Sequence, residues 1–243
     1  MKRYIAGIIA AIILVVAFFV ITGNNASEVK FDDTCSGLER SAEKNICYVD
    51  LAVKLGITAP CKSISDNDAL INSCIAQVSI AKVDRLGCQE IKDARTRGYC
   101  QAKVAAVRLE LPICENIDNK DWKDVCYRDI AEATNKSEVC GNVENDIFAD
   151  QCYDALAKKI NYGASCVFIK DTITKNRCFL AVAISTGNED LCHEISIEEQ
   201  QWSCFQKIAR AKNKPAICEF INYPSIVDNC KRVVKEANTQ LTT

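Results

Sequence analysis

From residue 35 onward, apolar and polar positions follow one another on a long, regular beat. One series of aliphatic residues reads Leu38, Ile64, Ile91, Ile117, Val143, Ile169, Ile195 and Ile221. A second reads Leu51, Val78, Val104, Ile130, Leu156, Val182, Ile208 and Val234. Each member of the first series stands three residues after a cysteine, and each member of the second stands four residues after the next cysteine. The residue following that second cysteine is aromatic at Tyr48, Tyr127, Tyr153, Phe179 and Phe205. Five places after it stand Ala52, Ser79, Ala105, Ala131, Ala157, Ala183 and Ala209. Apolar positions at 0, +1, +4 and +5 share one face of an α-helix, whereas a half-buried strand would alternate. The small residue lets a neighbouring helix approach closely.

Helix starts fit the same frame. Asn67, Asp93, Asn119, Asn145 and Asp171 each lie seven residues before a second cysteine, where a short acceptor side chain takes the free N–H groups of a first turn. Ser196 and Asn222 are expected to serve one position earlier in the last two repeats. Pro60, Pro112, Pro215 and Pro224 all fall at predicted helix starts, where a missing N–H costs little. Each repeat is therefore expected to be a two-turn helix bearing the first cysteine, a tight turn, and a longer helix bearing the second. Trp122 and Phe148, each four residues before a second cysteine, are expected on the core face.

The cysteines stand at 35, 47, 61, 74, 88, 100, 114, 126, 140, 152, 166, 178, 192, 204, 218 and 230, with gaps alternating between 12 and 14 and one gap of 13. That is a 26-residue period repeated eight times, one repeat carrying an insertion between Cys61 and Cys74. Periodicity of this length signals a solenoid or array. The expected fold class is all-α: an α-solenoid of eight 26-residue helical hairpins. A unit this small buries little, so covalent staples are its natural support. In the eighth repeat Lys231 replaces the aromatic and Lys235 the small residue, which suits a polar terminal cap.

Two regular pairings exist, across the 12-gap or across the 14-gap. The second would leave Cys35 and Cys230 alone. From Cys140 the short helix advances roughly 6 Å before its turn, and the long helix needs roughly 9 Å to return to Cys152, so the two sulfurs end nearly level. The 14-gap would leave its sulfurs offset along the axis. The constancy of the 14-gap argues the other way, but one extra turn residue absorbs the insertion. The expected bridges are Cys35–Cys47, Cys61–Cys74, Cys88–Cys100, Cys114–Cys126, Cys140–Cys152, Cys166–Cys178, Cys192–Cys204 and Cys218–Cys230.

Ahead of the array, residues 5–22 read IAGIIAAIILVVAFFVIT, without a charge and preceded by Lys2 and Arg3. A helix of that length spans about 27 Å, close to the roughly 30 Å hydrocarbon core. The basic start places the N-terminus inside and the rest outside. Residues 1–23 are thus expected to be a transmembrane anchor, 24–34 a linker, 35–235 the array and 236–243 a frayed tail. A cleaved signal peptide is the alternative, although its apolar stretch runs to about 7–15 residues. The expected location is the cell membrane, single-pass, with the C-terminal domain outside the cytoplasm. Sixteen cysteines beside one His and one Met suit an oxidising compartment. Asn25-Ala26-Ser27 and Asn135-Lys136-Ser137 are then candidate glycosylation sites.

Net charge is −2 overall; without Lys2 and Arg3, 28 basic residues face 32 acidic ones, a net of −4. No basic block marks a nucleic-acid footprint. Zinc sites use cysteines two to four residues apart, and no two here are nearer than twelve positions. There is no CxxC or CxxCH, and no G-x-S-x-G. His193, the single histidine, sits in a variable, mostly polar column. The chain is therefore expected to be no enzyme, with no cofactor and no metal. Trp202, two residues before Cys204 and at the rim of the core face, is the candidate binding residue.

The paired-helix array resembles the tetratricopeptide and Sel1-like solenoids in architecture, although its period and cysteine spacing differ. The tandem phrase C-x2-I-x8-C-Y-x3-A is also similar to cysteine-rich helical-repeat proteins of archaeal cell surfaces. The likeness covers residues 35–234. The first resemblance implies protein binding on a curved surface, and the second implies location alone; neither supplies catalytic residues. The function expected is a membrane-anchored binding or scaffolding module of the cell envelope, held at the membrane by residues 5–22, with a protein or glycan partner. The alternatives are a self-associating structural component of the envelope and, behind it, a metal store or an enzyme.

Overall fold

A computed structural model of the chain describes residues 31–240. The apolar segment 5–22 and the sequon at Asn25 lie outside the described residues. Among those described there is no strand, and no helix is long and apolar enough to cross a membrane.

Eight long helices carry the repeats: α1 Ser41–Leu55, α2 Asp68–Ala81, α3 Ala94–Arg108, α4 Lys120–Thr134, α5 Asp146–Lys159, α6 Thr172–Thr186, α7 Glu198–Lys212 and α8 Pro224–Gln240. Thus α8 runs on into the stretch expected to be tail. The chain forms two compact units whose boundary falls between Cys74 and Ile75, inside α2.

In the first unit, the turn at residues 34–37 and the 3₁₀ segment Ala59–Ser63 carry the first cysteines of two repeats. The insertion in the second repeat is taken up in the turn after Ile64, where Asp66 adopts the left-handed region at φ 54°. In the second unit each long helix packs on the next, and each first cysteine sits on a short helical segment. These segments are Arg85–Gln89, Leu111–Glu115, Ser137–Asn142, Gly163–Phe168, Glu189–Cys192 and Pro215–Phe220. The sequence predicts two-turn helices here. The structure has segments of only four to six residues, mostly 3₁₀, because so short a run gains little from cooperative i→i+4 bonding.

All sixteen cysteines are paired, each first cysteine with the second of its own repeat, at Cα–Cα separations of 5.6 to 5.9 Å. Every cysteine but Cys47 is buried. The two aliphatic series are buried from the second repeat onward, whereas Leu38 is 37% exposed and Leu51 half-buried. The small residues from Ala52 to Ala209 and the five aromatics after the second cysteine are buried throughout.

Five of the long helices start at the capping residues the sequence predicts. Asn67, Asp93, Asn119, Asn145 and Asp171 accept from the N–H groups of Leu70, Thr96, Trp122, Ile147 with Phe148, and Thr174. Thr96 and Thr174, by donating to them, hold the carboxyls of Asp93 and Asp171 below the usual aspartate range. Ser196 departs from expectation. Helix α7 starts after Ile197 without a side-chain cap, and Ser196 is engaged by the preceding repeat instead.

Helix ends share a feature of their own. Gly56, Val83, Leu109, Asn135, Asn161, Gly187 and Asn213, each nine residues after a second cysteine, all have φ between 52° and 67°. A left-handed residue at this place ends the helix and turns the chain toward the next short segment.

Candidate binding surface

Two residues before each second cysteine lies a series that hydrophobic periodicity passes over: Asn45, Asn72, Gly98, Asp124, Asp150, Asn176, Trp202 and Asp228. Five of the eight are buried and polar. In Asn45, Asp124, Asp150 and Asn176 the side chain reaches forward twenty or twenty-one residues to the turn of the following repeat. In the first unit, Asn45 accepts from the N–H of Ser65 at 3.2 Å and donates to its carbonyl at 3.1 Å. In the second unit, the Asp124 carboxylate accepts from Glu144 N–H at 2.8 Å and Asn145 N–H at 3.0 Å. Asp150 accepts likewise from Lys170 N–H at 2.7 Å and Asp171 N–H at 2.9 Å. Asn176 accepts from Ser196 N–H at 3.1 Å. Each of these four is a latch from one repeat to the next, a buried acceptor that takes the N–H groups of an exposed turn. The signal was in the sequence as a third column of short acceptors, polar where its neighbours in the frame are apolar.

Two positions in this series use other means. At Gly98 an added Cβ would lie 3.1 Å from Trp122 Cβ and 3.2 Å from Asn119 Cβ, so α3 meets the following turn at close quarters. Beside it Arg97 donates to the carbonyl of Ile91 at 2.9 Å and pairs with Asp118 at 3.3 Å. Trp202 is half-buried, its ring edge-on to Tyr223 at 4.7 Å between centroids. It covers the seam between the last two repeats where other repeats place a latch. Trp122 and Phe148, expected on the core face, are half-buried; Trp122 packs edge-on against Tyr99 at 5.0 Å, on the neighbouring helix.

Outside the latches, ion pairs link neighbouring repeats. Lys103 reaches Asp129 at 2.8 Å, Lys170 reaches Asp146 at 2.6 Å, and Lys212 reaches Glu189 at 2.6 Å. The Lys212 hydrogen bond holds the Glu189 carboxyl below its usual range. Burial raises the Tyr127 and Tyr153 phenols above theirs.

The two residues after each first cysteine are exposed nearly throughout, and there the repeats diverge. They read Ser36-Gly37, Lys62-Ser63, Gln89-Glu90, Glu115-Asn116 and Gly141-Asn142 in the first five repeats, then Val167-Phe168, His193-Glu194 and Glu219-Phe220. Phe168 is 60% exposed and stacks on buried Tyr153 at 5.2 Å. Phe220 is 47% exposed and lies 5.5 Å from buried Phe205. Exposed His193 stands edge-on to both Phe205 at 5.0 Å and Phe220 at 5.3 Å. The last three repeats therefore present aromatic and aliphatic groups on an edge that is polar in the first five. Among the described residues no cluster of three His, Cys, Asp or Glu side chains is placed to hold a metal ion.

Fold and surface together define a class: an all-helical chain of repeated, disulfide-closed helix pairs with a uniform interior and a variable edge. Compared with protein families, curated proteins and solved structures, the chain matches none.

Proposed function

We propose that this chain is a membrane-anchored, extracytoplasmic helical-repeat module of the solenoid type that binds or scaffolds a protein or glycan of the cell envelope. One observation carries the reading. The cysteine and aliphatic columns keep their residue type over eight repeats, while the exposed pair after each first cysteine changes in every repeat and turns aromatic in the last three. A spacer needs the first property alone; a recognition surface needs both. Eight disulfides in 243 residues support an oxidising location, and the uncharged segment 5–22 behind Lys2 and Arg3 supports an anchor. The resemblance of the paired-helix repeats to tetratricopeptide-type arrays and to archaeal surface proteins is consistent with that role.

The test uses the full chain in intact cells, with a photo-crosslinking residue at Phe168, Trp202 or Phe220 and, as a control, at Ser36. A discrete adduct from the first three and none from Ser36 is the expected result, with external protease reaching the array. Adducts to further copies of the chain alone would favour a self-associating structural component. An array inaccessible to external protease would remove the extracytoplasmic assignment.

A further inference from the structure

We propose that Asn135 carries an N-linked glycan; the proposal rests on the extracytoplasmic reading above. Three asparagines in this chain occupy one and the same structural position. Asn135, Asn161 and Asn213 each stand nine residues after a second cysteine, each exposed, each left-handed at φ 56°, 52° and 52°, each turning the chain out of a long helix. They differ two residues later: Ser137 follows Asn135, whereas Gly163 and Pro215 follow the other two. Only the first is therefore an Asn-x-Ser acceptor, and the other two supply matched backbones without the hydroxyl.

The surroundings suit the modification. Asn135 and Lys136 are exposed, so a bulky group there displaces nothing from the core. The position also lies outside every covalent ring: Cys114–Cys126 closes before it and Cys140–Cys152 begins after it. Chain 127–139 thus stays open to a transferase whichever of the two bridges forms first. In the step itself, a separate membrane transferase joins the amide nitrogen of Asn135 to the anomeric carbon of a lipid-phosphate-activated oligosaccharide. The C–O bond to the lipid phosphate breaks, the phosphate leaves with the bond pair, and the amide nitrogen loses one proton.

The test is a peptide map of the full chain purified from its native host, alkylated before any reductant is added. The expected result is no alkylated thiol and an Asn135 peptide heavier by one or more sugar residues. Peptides carrying Asn161 and Asn213 should keep their unmodified masses, and Ser137→Ala should return the Asn135 peptide to its own. Sixteen paired cysteines with an unmodified Asn135 would overturn the glycan and leave the extracytoplasmic reading standing. Free thiols throughout with an unmodified Asn135 would overturn both.

Discussion

At the residue scale the forward latches matter most. Asp150 is buried, and its two oxygens take the N–H groups of Lys170 and Asp171 that open the next turn. Asp150→Ala removes the acceptor and leaves both donors without a partner, which costs about 3 kcal/mol. Asp150→Asn keeps one acceptor oxygen and should cost less than half as much; urea unfolding of the two variants measures the order. Equal, small losses would show that water replaces the carboxylate. None of these latches was legible from periodicity, which looks for apolar columns and treats short polar residues as surface or caps. Ser196 shows the physical reason. Its place in the frame suits an N-cap, yet its N–H is bound by Asn176 of the preceding repeat, a partner twenty residues back that local capping rules do not see. The cysteine pairing, by contrast, was legible because parity leaves no cysteine over and the two arms of one short hairpin bring its sulfurs level.

At the element scale, a left-handed residue ends each of the first seven long helices at a constant place, but its chemistry changes. Gly56, Asn135, Asn161, Gly187 and Asn213 suit the conformation; Val83 and Leu109 do not. Leu109 is about half exposed, so Leu109→Gly relieves its backbone strain with little burial lost. The variant should be more stable by about 1 kcal/mol, read as a raised thermal midpoint. A lowered midpoint would mean that the Leu109 side chain holds the turn by packing. The long helices were readable in the sequence because their face is sustained over about four turns. The short segments were read as longer than they are, since a single apolar residue and a cysteine do not distinguish an α-turn from a 3₁₀ turn. The wide aromatic edge of the last three repeats was missed because its residues, Val167, Phe168 and Phe220, fall in a column that is polar earlier in the chain.

At the scale of the molecule, every disulfide is internal to a repeat, and apart from the backbone what joins repeats is non-covalent. Removing one staple should therefore act locally. Cys140→Ala with Cys152→Ala should cost about 2–5 kcal/mol. Amide hydrogen exchange should quicken in Ser137–Asn142 and α5 and, less, in the adjoining α4 and α6, while α8 keeps its protection. A uniform rise across residues 75–240 would mean that the second unit unfolds as one body. The eighth repeat differs from those before it: Lys231 and Lys235 stand where repeats four to seven bury an aromatic and an alanine, and Asp228, in the latch series, is exposed.

The placement of the rings also sets how the chain responds to load. Pulled from its ends, a repeat can give up only the segment outside its ring, because the ring is bridged across Cα atoms 5.6 to 5.9 Å apart. About fourteen residues per repeat can straighten, roughly 50 Å of contour, where a reduced repeat would release roughly 90 Å. Oxidation thus roughly halves the contour that each repeat can release, without adding a crosslink between one repeat and the next.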